Sequence, residues 1–364
     1  MDNRHMDGTK LMWHHERIKE HFDLEKRVAP IHIDMGLTKF CNVDCVFCFG
    51  CFQNKSRDYI KRDALLTTLK QAGEAGVKSI GFIGDGEPTC NPHFYEALYA
   101  GKKAGLDLAV STNGVLLDTP KKRAAILDNC SWMRFCLAAG TREGYKVIHR
   151  VDKFDKLKEN IRNILDERGQ RNSKTDIGFQ AVYVPGMMDQ DMKDESRLAV
   201  ELGVDYFVIK QCSLPEGNRK VGDIEFDVNQ YDAERTKQVL LECEGMSNAK
   251  TKIIPKWQTI QRKGKREYPH CPAVALISEV SGNGDWFPCG YFFGNKSEYE
   301  HLKFGNFHKQ SFNEILGSDR YWEIVKFMRE KFDSNRGCIG SCRLDTCNKY
   351  IDVYLQKPKG VNFI

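Results

Sequence analysis

Between residues 30 and 212, short apolar runs alternate with amphipathic stretches, and this alternation constrains the fold more than any other feature of the chain. The runs are PIHIDMGLT (30–38), KSIGFIGDG (78–86), LDLAVSTNG (106–114), CSWMRFCLAAG (130–140), TDIGFQAVYVP (175–185) and DYFVIKQC (205–212). They are rich in Val, Ile and Phe and mostly end at Gly, Pro or Asn, so they read as strands. Stretches between them, such as ALLTTLKQAGEAG and DKLKENIRNILDER, read as helices. Strand–helix–strand repetition builds a parallel sheet with right-handed crossovers. Six such strands are too few for a closed eight-stranded barrel. The expected fold is therefore α/β, a partial (β/α)6 barrel of the TIM type.

In sheets of this kind, functional groups gather on the loops after the carboxyl ends of the strands. Four distinctive segments fall there: a cysteine-rich loop after strand one, GDGEP after strand two, STNG after strand three and KQC after strand six. Residues 1–29 read as an N-terminal extension and 30–212 as the barrel. Residues 213–270 read as a bridging segment, with a loop at EGNRKVGD, a helix at DAERTKQVLLECEG and a short strand in TKIIPKW. Residues 271–364 read as a small C-terminal domain.

The formal charge of +5, with both signs interspersed among 29% charged residues, is a weak basic bias. It suits an acidic or phosphorylated substrate and does not predict nucleic acid. No apolar run reaches the roughly 20 residues of a membrane span. The polar start MDNRHMDGTKLMWHHERIKEHF lacks the apolar core of a signal peptide. A cytoplasmic location is the expectation, and His5, His14, His15 and His21 show no metal-ligand spacing.

Fourteen cysteines are many for such a chain, and in a reducing compartment they point to metal or redox chemistry rather than disulfides. Four lie in TKFCNVDCVFCFGCF, at Cys41, Cys45, Cys48 and Cys51, and five lie between Cys271 and Cys347. Cys90, Cys130, Cys136, Cys212 and Cys243 are scattered, as small buried hydrophobes are. Thiolates spaced by three and then two residues can wrap one iron–sulfur cube and leave one iron open. Structural zinc competes, because it takes a closed set of four ligands and Cys48–Cys51 is itself a C-x-x-C pair.

The C-x3-C-x2-C pattern after a first strand, with Phe47 before the third cysteine, resembles the signature of the radical S-adenosylmethionine (SAM) superfamily. That resemblance implies a SAM-binding 4Fe–4S cluster on Cys41, Cys45 and Cys48, with Cys51 outside the ligand set. Reductive cleavage of SAM would then give a 5′-deoxyadenosyl radical that abstracts hydrogen from substrate. GDGEP is similar to the GGEP motif that holds the methionine amino group. Asp85 stands where the motif has Gly, so the implied contacts are Gly86, Glu87 and Pro88. STNG is similar to the segment near the SAM ribose, implying Ser111 and Asn113. Arg134 and Gln180, on strands four and five, are candidates to face the barrel interior and meet SAM or substrate. An internal salt bridge is the other reading of Arg134.

The stretch from Cys271 to Cys289 reads as two strands around a turn at Gly282–Asn283–Gly284, a hairpin that brings its end cysteines together. With Cys338, Cys342 and Cys347, four thiolates can close around a second cluster or a zinc ion. Cys, twelve residues, Gly, four residues, Cys resembles the opening of the SPASM domain, an auxiliary-cluster extension of radical SAM enzymes. The second half carries three cysteines where that domain carries more, which implies one auxiliary 4Fe–4S cluster as in the shorter twitch variant. Cys271, Cys289, Cys338 and Cys342 are the expected ligands, with Cys347 as substitute.

An auxiliary cluster that accepts an electron from a substrate radical makes the reaction a two-electron oxidation. The short leading segment favours a small polar substrate, such as a sugar or cyclitol derivative, over a peptide. Lys210 is a candidate to bind an anion or act as a base. Cys212 is a candidate hydrogen-atom donor, which would give epimerisation instead. The resemblance also implies an external electron donor such as flavodoxin or ferredoxin. Remaining alternatives are a peptide-modifying maturase and a zinc-binding scaffold or nucleic-acid module.

Overall fold

The computed structural model describes residues 8–53, 55–212, 218–221, 224–227, 232–262, 266–293, 297–338, 342–357, 359–360 and 362. Its strands are β1 (His32–Met35), β2 (Ser79–Phe82), β3 (Asp107–Thr112), β4 (Cys130–Cys136), β5 (Asp176–Tyr183), β6 (Tyr206–Gln211), β7 (Asn218–Val221), β8 (Ile224–Asp227), β9 (Lys252–Pro255), β10 (Ile277–Val280), β11 (Asp285–Phe287) and β12 (Gly305–Asn306). The helices are α1 (His15–Phe22), α2 (Arg62–Glu74), α3 (Phe94–Lys103), α4 (Pro120–Asn129), α5 (Arg142–His149), α6 (Phe154–Gln170), α7 (Asp189–Leu202), α8 (Ala233–Gly245), α9 (Trp257–Arg262), α10 (Phe312–Gly317), α11 (Asp319–Glu330) and α12 (Asp345–Gln356).

The main sheet has the order β12-β11-β10-β1-β2-β3-β4-β5-β6-β9. From β10 to β9 every pairing is parallel. The strand expected in TKIIPKW is β9, and it extends the sheet beyond β6. At the other end β10 pairs in parallel with β1, so the first strand of the C-terminal hairpin is also a barrel strand. The hairpin turns back through β11 and β12 in antiparallel pairing. EGNRKVGD is not simply a loop: β7 lies within it and pairs antiparallel with β8.

Alternation along the strands separates two faces. On β4 and β5, Met133, Phe135, Ile177, Phe179 and Ala181 are fully buried against the helices. Trp132, Arg134, Cys136, Gln180 and Val182, at the intervening positions, are only half-buried and face the other way. The helices supply the matching apolar stripe, for example Leu65, Leu69 and Ala72 of α2. Local signals set their ends. Thr119 accepts from Lys122 N ahead of Pro120 to start α4, and Ser311 and Glu314 form a capping box on α10. Among the described residues no helix is long and apolar enough to cross a membrane.

Candidate active site

The three-cysteine loop leaves β1 and is docked onto the end of α5. Asp44 N donates to His149 O at 3.1 Å, and Val46 N to Ile148 O at 2.9 Å. Val43 and Val46 are buried beneath it, while Asp44 pairs outward with Lys55 and Arg150. Cys45 Sγ lies 3.0 Å from His149 Nδ1, and Phe47 meets the His149 ring edge-on. Cys41 Sγ is 3.8 Å from Asn113 Nδ2, which donates to Asn42 Oδ1 at 2.6 Å. The side chain of Cys51 lies outside those described.

Burial, and next the charge of Glu87, push the Cys41 thiol up to about 11. Burial and the neighbouring Cys41 raise Cys45 well above the usual thiol value. Crowded thiols of this kind repel one another as thiolates and need a cationic centre to lose their protons. Among the described residues no three His, Cys, Asp or Glu side chains already converge on one point. The donor set nevertheless has the chemistry an iron–sulfur cluster requires.

GDGEP and STNG are fastened to each other through Glu87. Its carboxylate accepts from Thr89 N (3.1 Å), Thr89 Oγ1 (2.6 Å), Thr112 Oγ1 (2.6 Å) and Asn113 N (2.7 Å). Glu87 thus spends its acceptors on the chain and positions Asn113 beside the cysteine loop. At Gly86 a Cβ would stand 2.2 Å from Thr38 O and 2.6 Å from Phe40 O, so only glycine fits this approach. Pro88 is buried and opens a short 3-10 turn. Gly114 takes φ 73° and ends the strand, as the Asn-Gly pair predicts. Asp85 turns away from this cradle: it accepts from Ser281 Oγ and Gly282 N in the C-terminal hairpin.

The interior-facing groups form a second assembly. Arg134 Nε donates to Ser111 Oγ at 3.0 Å, and Ser111 Oγ lies 3.0 Å from Cys136 Sγ. Arg134 is also stacked over the Trp132 ring. Gln180 is in register with Cys136, and its Oε1 is buried with no hydrogen-bond partner. Lys210 feels the charges of Arg134, Lys256, Cys136 and Glu279, and burial leads the causes that lower it to about 7. Cys212 does not share this space: it is 3% exposed and packs in the apolar core.

Toward the C-terminal end, Asn348 Nδ2 lies 3.2 Å from Cys271 Sγ and Arg266 Nη2 lies 3.1 Å from Cys338 Sγ. Cys338 is hydrogen-bonded to Cys342, and Cys271 and Cys289 are within electrostatic reach of both. Burial and the charge of Glu279 raise Cys289 well above an ordinary thiol. Cys347 stands by Arg343, Thr346 and Asp345 and feels none of the other four strongly, although it perturbs Cys271. Sequence reasoning missed Asn42, Cys136, His149, Lys256 and Glu279. Cys136 and Glu279 were findable, since each sits at an interior parity position of its strand; His149 needed the α5 contact.

The radical SAM superfamily profile matches residues 35–199, and the profile of the SPASM iron–sulfur cluster-binding domain matches residues 271–348. The chain is 25% identical over 327 residues to a Pyrococcus furiosus tungsten-containing aldehyde ferredoxin oxidoreductase cofactor-modifying protein, covering 80% of this chain and 82% of the relative. It is 32% identical over 169 residues to a probable GTP 3′,8-cyclase of Saccharolobus solfataricus, 46% of this chain and 50% of that one. In fold it is similar to Streptococcus suis SuiB bound to S-adenosylmethionine, with TM-score 0.64 and 18% identity over 96% of this chain and 78% of SuiB. It is likewise similar to anSMEcpe with bound AdoMet, with TM-score 0.60 and 16% identity over 92% and 98% of the two chains. With the partial barrel, the cysteine loop on its first strand and the C-terminal thiols, these matches identify the chain as a radical SAM enzyme that binds a 4Fe–4S cluster and SAM and carries a SPASM domain for auxiliary iron–sulfur binding.

Proposed function

We propose that Cys41, Cys45 and Cys48 hold the SAM-binding cluster, and that Cys271, Cys289, Cys338 and Cys342 hold one auxiliary 4Fe–4S cluster with Cys347 spare. The layout we adopt is an extension over 1–29, the barrel over 30–212, a bridge over 213–270 and the cluster domain over 271–364. When bound, the first cluster and SAM supply a 5′-deoxyadenosyl radical that takes a hydrogen atom from substrate.

The chain's own groups do the rest. Gly86 and Pro88 let the backbone approach the methionine end of SAM, Glu87 sets Asn113, and Ser111 and Asn113 stand at the ribose side. Arg134 and Gln180 line the space beyond, and Lys210 orients the substrate.

The observation that carries this reading is a chain of electrostatic influence that runs from one cysteine site to the other through the interior-facing groups. Cys45 is within electrostatic reach of Cys136, Cys136 of Lys210, Lys210 of Glu279 and Glu279 of Cys289. A substrate among those groups lies between the two cysteine sites, where an electron can pass to the auxiliary side. The burial of Cys212 in the core favours oxidation over epimerisation.

The substrate we favour is a small polar molecule. Curated relatives named for GTP cyclisation and for cofactor modification support this. They give no support to the sugar or cyclitol expected from the sequence. A peptide is the second reading, favoured by the likeness to SuiB bound to its precursor peptide SuiA. Cysteines grouped in the way metal ligands are fit a reducing compartment such as the cytoplasm, with flavodoxin or ferredoxin as electron donor.

The test is anaerobic reconstitution followed by iron and sulfide counting and a 5′-deoxyadenosine assay with SAM and reductant. About eight irons per chain, falling to about four in a Cys41/Cys45/Cys48→Ala variant that makes no nucleoside, is the expected result. A chain that holds zinc and leaves SAM intact overturns the reading.

A further inference from the structure

We propose that the Tyr145 hydroxyl donates a hydrogen bond to a sulfur of the SAM-binding cluster and so raises that cluster's reduction potential. The inference rests on the proposed assignment of the cluster to Cys41, Cys45 and Cys48.

Tyr145 and His149 lie one turn apart on α5, so their side chains share a face of the helix. Their rings are stacked, with centroids 4.3 Å apart and planes inclined by 28°. Phe154 also packs against the Tyr145 ring, with centroids 5.8 Å apart. Tyr145 is fully buried, so the ring is held in one place. The helix that holds it is the one onto which the cysteine loop docks. His149 Nδ1 lies 3.0 Å from Cys45 Sγ, which puts the stack beside the cluster's cysteines.

The Tyr145 hydroxyl has no hydrogen-bond partner. A buried O–H without an acceptor costs free energy, and Phe would fill the same space without that cost. Burial, then the charges of Cys45, Cys41 and Glu87, raise its pKa, so it remains a donor. All three of those groups belong to the site, so the hydroxyl end faces the site.

The acceptors already there are taken. Glu87 accepts from Thr89 N, Thr89 Oγ1, Thr112 Oγ1 and Asn113 N. His149 turns Nε2 to Leu137 O and Nδ1 to Cys45 Sγ. The hydroxyl is bonded to neither thiol. What the site has still to receive is the cluster, whose sulfurs carry negative charge and accept hydrogen bonds. Cys45 weighs most among the three charges, which puts the acceptor on the cysteine side and not among the proposed SAM contacts at Gly86, Pro88 and Ser111.

A reduced cluster carries one more negative charge than an oxidised one. A donor to its sulfur therefore stabilises the reduced form more and eases entry of the electron.

Tyr145→Phe removes the oxygen and keeps the ring stack. Parent and variant, reconstituted anaerobically, are titrated with a mediated reductant and followed by EPR. The signal that changes when SAM is added identifies the SAM-binding cluster, and the auxiliary cluster is the internal reference. The variant is expected to need a lower potential by about 59 mV, a ~10-fold smaller ratio of reduced to oxidised cluster at any given potential. The shift is expected with and without SAM, and the auxiliary signal is expected to stay in place. In D2O, pulsed EPR of the reduced parent should show an exchangeable-deuteron coupling that the variant lacks.

Equal midpoints overturn the proposal. So does a shift that appears only with SAM, which assigns the hydroxyl to SAM, or one shared by both clusters, which marks a general effect of the substitution. Iron content and nucleoside formation in the parent report separately on the cluster itself. A parent without a SAM-responsive cluster overturns the cluster assignment together with this inference, whereas equal midpoints in a loaded pair overturn this inference alone.

Discussion

Asp85 accepts a hydrogen bond from Ser281 Oγ at 2.6 Å, and its other oxygen accepts from Gly282 N at 2.8 Å. This joins GDGEP, the proposed SAM cradle, to the turn that leads through β11 to Cys289. Asp85 is also the place where GDGEP departs from the family's glycine. The departure is accommodated because Gly36 leaves room: a Cβ there would stand 2.7 Å from Asp85 Oδ1. Lys39 Nζ lies 4.0 Å from the same carboxylate.

Replacing Asp85 by Ala strands two buried donors and leaves Lys39 without its acid. The expected cost is about 3 kcal/mol, and about half that for Asp85→Asn, which keeps one acceptor. Urea unfolding of the two variants against the parent checks this. Equal midpoints for all three chains would show that the hairpin is held by other contacts.

Glu87→Gln exposes a different weakness. Four donors converge on that carboxylate, and an amide NH2 must face at least one of them. We expect a loss of about 2–3 kcal/mol in stability and a roughly tenfold rise in the SAM concentration needed for half-maximal nucleoside formation. Thr112→Val removes one of the four bonds and also the acceptor of Gly114 N, which donates to Thr112 Oγ1 at 2.9 Å, so it should cost about 2 kcal/mol. If SAM half-saturation is unchanged in Glu87→Gln, the carboxylate does not set Asn113.

Much of this arrangement is legible in the chain alone. Runs rich in Val, Ile and Phe that end at Gly, Pro or Asn mark the six central strands, because such residues fill a sheet packed on helices. The Cys41–Cys48 spacing, GDGEP and STNG marked the rim, because each follows a strand. What local pattern could not give was pairing at long range. Nothing near Ile277 says that β10 docks in parallel on β1, or that Asp85 reaches Ser281, 196 residues away. In the segment from 218 to 227 only IEFD alternates, and its partner strand NRKV is polar, so half of the β7–β8 pair carries no apolar signal. Cys212 ends an apolar run in the sequence and by parity would share the face of Lys210, yet it lies one residue past the strand end at Gln211, where the alternation no longer holds, and it is buried in the core.

Glu195 makes stability depend on pH. It is fully buried on α7, and burial, with Asp191 adding its charge, holds its carboxyl well above the carboxylate range against the Ala138 backbone. Asp191 itself is raised to about 6 by burial and by Asp194. Both are acids with folded pKa above the unfolded value. Their contribution is therefore complete below the unfolded values of 4.5 and 3.8 and is lost as pH rises through the folded ones. Glu195→Gln keeps the shape and removes the proton. Relative to the variant, the parent should lose up to about 1.4 kcal/mol per pH unit between pH 5 and the folded pKa. Urea midpoints at pH 5, 6.5 and 8 measure it, and parallel profiles would exclude Glu195 as the cause.

The C-terminal thiols separate by their surroundings, and iron content reads the separation. Cys342 is hydrogen-bonded to Cys338 and feels the charges of Cys271 and Cys289, so as thiolates the four would repel one another. The proposed cluster would offset that repulsion by placing cationic iron among them. Cys347 sits apart, with Arg343 as the charge that opposes its rise to about 11 by burial. Cys342→Ala should therefore hold about four irons instead of about eight after anaerobic reconstitution, while Cys347→Ala should hold the full number. The Cys41, Cys45 and Cys48 site serves as the internal reference, since uncoupled nucleoside formation reports that it is loaded. Loss of iron in Cys347→Ala with retention in Cys342→Ala would exchange the two residues' roles, and the ligand set would then be Cys271, Cys289, Cys338 and Cys347.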